Sequence, residues 1–333
     1  MRIIRGLVLS GLLITASVWA AKPLEVFFID VEGGQATLVV TPSKQSMLID
    51  AGWPGFSNRD AERIAKVAKS AGVKAIDYLV VTHYHTDHVG GVGQLVAKIP
   101  VKNFVDHGPN NESGRQPDQL YKDYEEAAAK GKRITVKAGD SIPLKGLDVK
   151  VVTANGAAIQ GKGPANSLCS SAPSYPEDKT ENARSVGLLI TYGKFRMIDL
   201  GDLTSQRELD LVCPENRIGK VDVYLTTHHG LDQSNAKELI HALQPRVAVM
   251  NNGARKGGTP SAWQIIKSSP GLEDLWQVHY SIAGKTEANS PETFIANLEA
   301  QCEGKSIQLS ANTDGSFRVV NTRNKYSKTY AAR

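Results

Sequence analysis

The sequence predicts an α/β fold in which two mixed β-sheets pack face to face with helices outside. Three observations carry it: a strand meander near the start, strands alternating with helices after it, and a second meander with helices in the later half. Leu24 to Asp30, Ala36 to Thr41 and Met47 to Asp50 are β-rich runs separated by Gly33-Gly34 and by Pro42 to Gln45. Asn58 to Ala71 has helical spacing, with Asn58 as N-cap and Gly72 as the stop. Ile76 to Val81 reads as a buried strand, Val89 to Ile99 as a helix, Val101 to Val105 as a strand and Asp118 to Lys130 as an amphipathic helix.

The alternation then repeats. Leu147 to Val152 is a strand and Asn155 to Thr180 a long polar loop. Ser185 to Tyr192 and Phe195 to Leu200 form a hairpin turning at Gly193-Lys194. Strands at Val221 to Thr226, Arg246 to Met250 and Leu275 to Tyr280 alternate with helices at Ser205 to Val212, Asn235 to Leu243 and Ser261 to Ser268. Ser306 to Ser310 and Phe317 to Val320 close the chain around Asp314-Gly315, a hairpin signal. No linker cuts the sequence, so residues 21–333 read as one domain, with the loop from Asn155 as an insertion or lid.

Residues 1–20 read as a signal peptide. Arg2 and Arg5 precede an uncharged run from Gly6 to Ala20 that is short for a bilayer span, and Val18 and Ala20 suit a cleavage site. The expected location is therefore periplasmic or secreted, with no membrane contact after cleavage. The formal charge of +5 includes the two leader arginines and is too small to indicate a nucleic-acid partner. Three cysteines in an oxidising compartment permit one bridge, and Cys169, in Ser/Pro-rich surroundings, is the expected odd member. Nothing in the sequence speaks to oligomeric state.

The chemistry is concentrated in Thr82-His83-Tyr84-His85-Thr86-Asp87-His88, where three of the eight histidines directly follow a strand. In an extended segment His83 and His85 point the same way, toward one ion, and the following turn sends Asp87 and His88 toward a second. Imidazole and carboxylate are donors that Zn2+ prefers. The expected cofactors are two divalent ions, Zn2+ first, with Mn2+ or Fe2+ as alternatives. Further donors should lie at other strand ends: Asp202 after the hairpin, placed to bridge, then His228 and His229, and Asp50.

An apolar strand ending in Asp-x-Gly, then HxHxDH, then Gly-Asp, then a late strand-end histidine resembles the metallo-β-lactamase superfamily. Phe28-Ile29-Asp30-Val31 and His228-His229-Gly230 resemble the branch that contains the periplasmic-facing domain of the competence protein ComEC and bacterial choline-phosphate esterases. The resemblance implies a four-layer αββα fold, His83 and His85 on a first ion, Asp87 and His88 on a second, and Asp202 between them. One of His228 and His229 would complete the second site while the other faces substrate, and Asp50 would orient a ligand imidazole. Asp87, His228 and His229 would then serve catalysis.

Two departures stand out: the superfamily's further histidine is missing from Glu181-Asn182-Ala183-Arg184-Ser185, and Glu32-Gly33-Gly34-Gln35 replaces the branch's Gly-Gln-Gly-Asp. The first weakens a lactamase reading. The expected function is hydrolysis of a phosphoester or phosphodiester, in a small molecule or at a cell surface, by a metal-bound hydroxide. The alternatives are hydrolysis of a lactam, lactone or thioester, and a metal- or nucleic-acid-binding protein without turnover. His107, after another strand, is a candidate substrate contact; His241 and His279 read as structural, and Lys130 to Arg133 as a solvated helix end.

Overall fold

The computed structural model describes residues 22–333, so the signal-peptide reading lies outside the described residues. The chain forms two mixed sheets. The nine-stranded sheet runs Ser327–Tyr330, Phe317–Asn321, Ile307–Ala311, Leu24–Phe28, Thr37–Val40, Ser46–Ile49, Ile76–Val80, Val101–Asp106 and Lys132–Thr135 across its width. Its last four strands are parallel and the others antiparallel. The eight-stranded sheet is built the same way. Ile295–Asn297, Asp274–His279, Val247–Met250, Val223–Leu225 and Phe195–Asp199 are parallel, while Gly187–Tyr192, Asp148–Ala154 and Ala157–Ala158 continue antiparallel.

Side-chain alternation turns these strands into four layers. Val26, Met47, Val80, Leu188, Met197, Val223 and Val249 meet between the sheets. Their chain neighbours Phe27, Leu48 and Leu79 pack under Arg59–Ser70, Val92–Val96 and Arg115–Ala128, the helices outside the first sheet. Leu189, Ile198, Tyr224 and Ala248 pack under Ser205–Val212, Lys237–Leu243 and Pro260–Lys267 on the second. Strands covered on both faces read as continuous apolar runs, as these do. The predicted αββα fold is therefore the observed one.

Several local expectations need correction. The helix expected over Val89 to Ile99 is two pieces, Thr86–Val89 and Val92–Val96. Gly90-Gly91 separates them, and a Cβ on Gly91 would lie 2.1 Å from Ala51 O, so only glycine permits this approach. Asn58 precedes its helix in a left-handed conformation without a side-chain cap. The stretch read as a solvated helix end instead contributes the edge strand Lys132–Thr135, pinned by an Arg133 Nε–Asp106 Oδ2 ion pair of 2.6 Å.

The cysteine expectation is reversed at one position. Cys169 is bonded to Cys213, and Cys302 is the free thiol. Asn166 explains this, because its backbone N–H donates to Pro214 O and its Nδ2 to Val212 O, folding the long loop back onto the end of helix Ser205–Val212. Among the described residues no helix is long and apolar enough to cross a membrane.

Candidate metal centre

The C-terminal ends of parallel strands from both sheets converge on one side of the molecule. Ile76–Val80 leads into His83 and His85, Phe195–Asp199 into Asp202, and Val223–Leu225 into His228 and His229. The short helix Thr86–Val89 turns the backbone so that Asp87 and His88 face inward. His228 and His229 both have left-handed backbone angles, φ 54° and 56°. Two such residues in succession are costly and concentrate at functional sites.

The side chains meet in two groups joined by one carboxylate. His83 Nε2 lies 3.1 Å from His85 Nδ1. His229 Nε2 lies 3.0 Å from Asp87 Oδ2 and 3.2 Å from His88 Nε2. Asp202 sits between the groups. Its Oδ2 is 3.2 Å from His88 Nε2, 3.3 Å from His228 Nε2 and 3.9 Å from His83 Nε2, while its Oδ1 is 3.4 Å from His229 Nε2. Ligand atoms of Asp87, His88, Asp202 and His229 all fall within 4.8 Å of one another, and all four residues are buried. Asp202 Oδ1 has no hydrogen-bond donor although it is buried. A buried carboxylate oxygen without a donor, ringed by imidazole nitrogens, fits a cation.

Electrostatics shape the same cluster. Burial works to raise the Asp202 carboxyl, but His229, His88 and His228 override it and hold it well below the usual range. Burial is likewise overridden at Asp87 by His88 and His229. His83 is pushed well below the ordinary imidazole range, by burial first and then by His88. These directions favour ionised carboxylates and a neutral His83, the forms that donate to a metal, whereas at His88 burial is overridden by Asp202, Asp87 and Asp50, which hold its ring above the ordinary imidazole range until a cation replaces the proton.

An outer ring fixes the imidazoles. Asp50 Oδ2 faces His88 Nδ1 at 2.7 Å and also accepts from Thr82 Oγ1 at 2.7 Å, while Thr82 N donates to Oδ1 at 2.8 Å. Asp50 thus lies behind the His88 ring, on the side away from Asp202. His228 Nδ1 lies 3.3 Å from Ser234 Oγ, and His85 Nε2 lies 3.2 Å from Glu112 Oε1. Asp50→Asn should weaken metal affinity or turnover by about 10–100-fold without unfolding the chain; a metal titration beside a melting curve measures both.

The adjacent histidines are distinguished by geometry: His229 joins Asp87 and His88, whereas His228 approaches Asp202 alone and is 6% exposed. His107 corrects its expectation. It is buried against Tyr84 with Nε2 2.9 Å from Glu181 Oε2, out of a substrate's reach. Glu181 also accepts from Tyr84 N and Asn111 N, so the segment lacking the expected histidine braces the loop behind His83.

Two neighbours escaped the sequence reading. Glu112 carries no motif. Lys256, whose Nζ contacts Asp87 Oδ2 and lies 4.9 Å from the Trp53 ring centre, follows strand Val247–Met250 in a glycine-rich loop. The strand-end rule that found Asp202 applies to that loop too.

The family model described as the metallo-beta-lactamase superfamily matches residues 29–180. The chain carries a metallo-β-lactamase superfamily domain. ComE operon protein 3 of Bacillus subtilis is 26% identical over 243 residues, 69% of this chain and 28% of its own length. Recombination protein 2 of Haemophilus influenzae is 23% identical over 70% of this chain and 25% of its length. The chain therefore spans about a quarter of these two curated relatives. A UPF0173 metal-dependent hydrolase of Aeropyrum pernix is 23% identical over 65% of this chain and 78% of its own. Among solved structures, Tm1679, described as a metal-dependent hydrolase of the beta-lactamase superfamily, is 18% identical with a TM-score of 0.45, covering 76% of this chain and 95% of that one.

Proposed function

We propose that this metal-dependent hydrolase of the metallo-β-lactamase superfamily cleaves a phosphoester or phosphodiester bond, using two divalent ions. The observation that carries the reading is the position of the Asp202 carboxylate between the His83–His85 pair and the Asp87–His88–His229 group. His83 and His85 would hold one ion, Asp87, His88 and His229 the other, and Asp202 would touch both. Such ions, when bound, make water nucleophilic near neutral pH and polarise the bond under attack.

The remaining residues suit an anionic substrate. Asp87, which would help to hold one ion, would also orient the attacking water. Lys256 Nζ, part exposed at the rim, offers positive charge to a phosphoryl oxygen. Burial holds His228 below the ordinary imidazole range, so its ring is neutral near pH 7 and Nε2 offers a hydrogen bond to substrate. The first group lacks a third histidine, which argues against a lactam, lactone or thioester. The Cys169–Cys213 disulfide supports an oxidising compartment, and with it export to the periplasm or beyond.

A panel of aryl phosphomonoesters, aryl phosphodiesters, a chromogenic lactam, a lactone and a thioester tests this with purified, zinc-loaded protein. Turnover should appear on a phosphoester, vanish on chelation and vanish in His85→Ala. Hydrolysis confined to the lactam, lactone or thioester, or none at all by a fully metallated chain, would sink the proposal. His228→Ala should lower kcat while leaving bound metal unchanged, whereas His229→Ala should lose metal.

A further inference from the structure

A second group of metal-type donors lies apart from the one around Asp202. Asp30, just past strand Leu24–Phe28 of the first sheet, and His279, at the end of strand Asp274–His279 of the second, are both fully buried. Glu32 follows Asp30, and Cys302 comes from the segment between Ile295–Asn297 and Ile307–Ala311. Their donor atoms lie within 4.8 Å of one another. We propose that Asp30, Glu32, His279 and Cys302 form a separate structural site for a borderline divalent cation such as Zn2+, which ties the two sheets together.

The separations suit a tetrahedral ion. With nitrogen and oxygen donors at about 2.0–2.1 Å and sulfur at about 2.3 Å, donor–donor edges are roughly 3.3–3.6 Å. His279 Nε2 stands 2.8 Å from Asp30 Oδ1 and 3.5 Å from Glu32 Oε2. Cys302 Sγ stands 3.1 Å from Asp30 Oδ2, 3.4 Å from Glu32 Oε1 and 3.9 Å from His279 Nε2. The histidine distances run to one oxygen of each carboxylate and the cysteine distances to the other, so on binding one oxygen from each must turn to face both; one donor atom from each of the four side chains already lies within 4.8 Å of the rest. One nitrogen, one sulfur and two carboxylates are a complete four-donor set, as closed structural sites have.

The charges agree. Arg63 Nη1 donates to Asp30 Oδ2 at 2.8 Å and to Glu32 Oε1 at 3.1 Å, neutralising one carboxylate. His279 Nδ1 is buried without a hydrogen-bond partner. The fixed charges are then two carboxylates against one guanidinium. On binding, the Cys302 S–H bond breaks, its proton leaves to solvent and a metal–sulfur bond forms. Two carboxylates, a thiolate, a guanidinium and a divalent ion sum to zero. Arg63 also reaches Cys302, its Nη2 lying 3.2 Å from the carbonyl oxygen and 3.6 Å from Sγ, so it stands beside three of the four donors, where an outer partner orients metal ligands.

Cobalt loading tests the site independently of hydrolysis. The donors around Asp202 include no sulfur, and Cys169 and Cys213 are bonded to each other, so in the absence of reductant only Cys302 can supply a thiolate. The metal-free chain reconstituted with Co2+ should show a thiolate-to-cobalt charge-transfer band that Cys302→Ser abolishes and Asp202→Ala retains. Cys302→Ser should also bind one equivalent less metal per chain and melt at a lower temperature. Absence of the band in the wild-type chain, or equal metal content in wild type and Cys302→Ser, would overturn the proposal and leave an arginine–carboxylate cluster held by hydrogen bonds. Loss of the band in Asp202→Ala as well as in Cys302→Ser would also overturn it, since the sites would not be separate.

Discussion

Replacing Asp202 with alanine is expected to abolish turnover and lower bound metal while leaving the fold in place. The carboxylate is the one anion shared by both imidazole groups, with His83, His88, His228 and His229 all within 3.9 Å of one of its oxygens. Alanine removes the proposed bridge, and neither neighbouring carboxylate can replace it, since Asp87 serves one group and Asp50 lies behind His88. The loss should exceed the roughly 10–100-fold effect of disturbing an outer partner. The backbone has less reason to move, because Asp202 N donates to Ser185 Oγ at 3.2 Å independently of the side chain. Metal analysis and kcat/KM on one preparation check both parts, and normal turnover with full metal content would refute the assignment.

The largest expected effect on stability is at Trp276. Its side chain is fully buried between the sheets, edge-on to Phe294 at 4.8 Å, with Nε1 donating to Tyr330 Oη at 3.0 Å. Tyr330 ends the last strand of the first sheet, whereas Trp276 belongs to the second, so this contact locks one sheet to the other. Trp276→Ala leaves a cavity and removes the donor to Tyr330 Oη, whose own bond to Asp274 Oδ2 remains, and should cost about 3–5 kcal/mol. Urea unfolding measures it. A cost below about 1 kcal/mol would mean that the sheets are held together elsewhere.

The parts of this molecule legible in sequence are those set by local period or by strand ends. His83, His85, Asp87 and His88 are close in the chain, so one strand and one turn place them together. Asp202 and Asp50 are legible because an acid after an apolar strand sits at that strand's end. Local period cannot orient His228 against His229, since consecutive residues with positive φ in a turn follow neither a strand nor a helix pattern. The choice depends on Asp87 and His88, roughly 140 positions away in the chain.

Tertiary contacts account for the other differences. His107 follows a strand as expected, but Glu181, 74 positions later, draws its ring inward. Cys169 sits in a polar loop whose return to Cys213 depends on Asn166 reaching a helix end. His279 read as structural because a lone strand histidine gives no sign of Asp30, 249 positions away, on the facing sheet.

Anomalous diffraction from zinc-loaded crystals is the most direct test of the central claim. The expected result is a peak among Asp87, His88, Asp202 and His229, with a second beside His83 and His85 on the other side of Asp202. Density at Lys256 Nζ filling that space, with no anomalous signal within reach of Asp202 at saturating zinc, would contradict it.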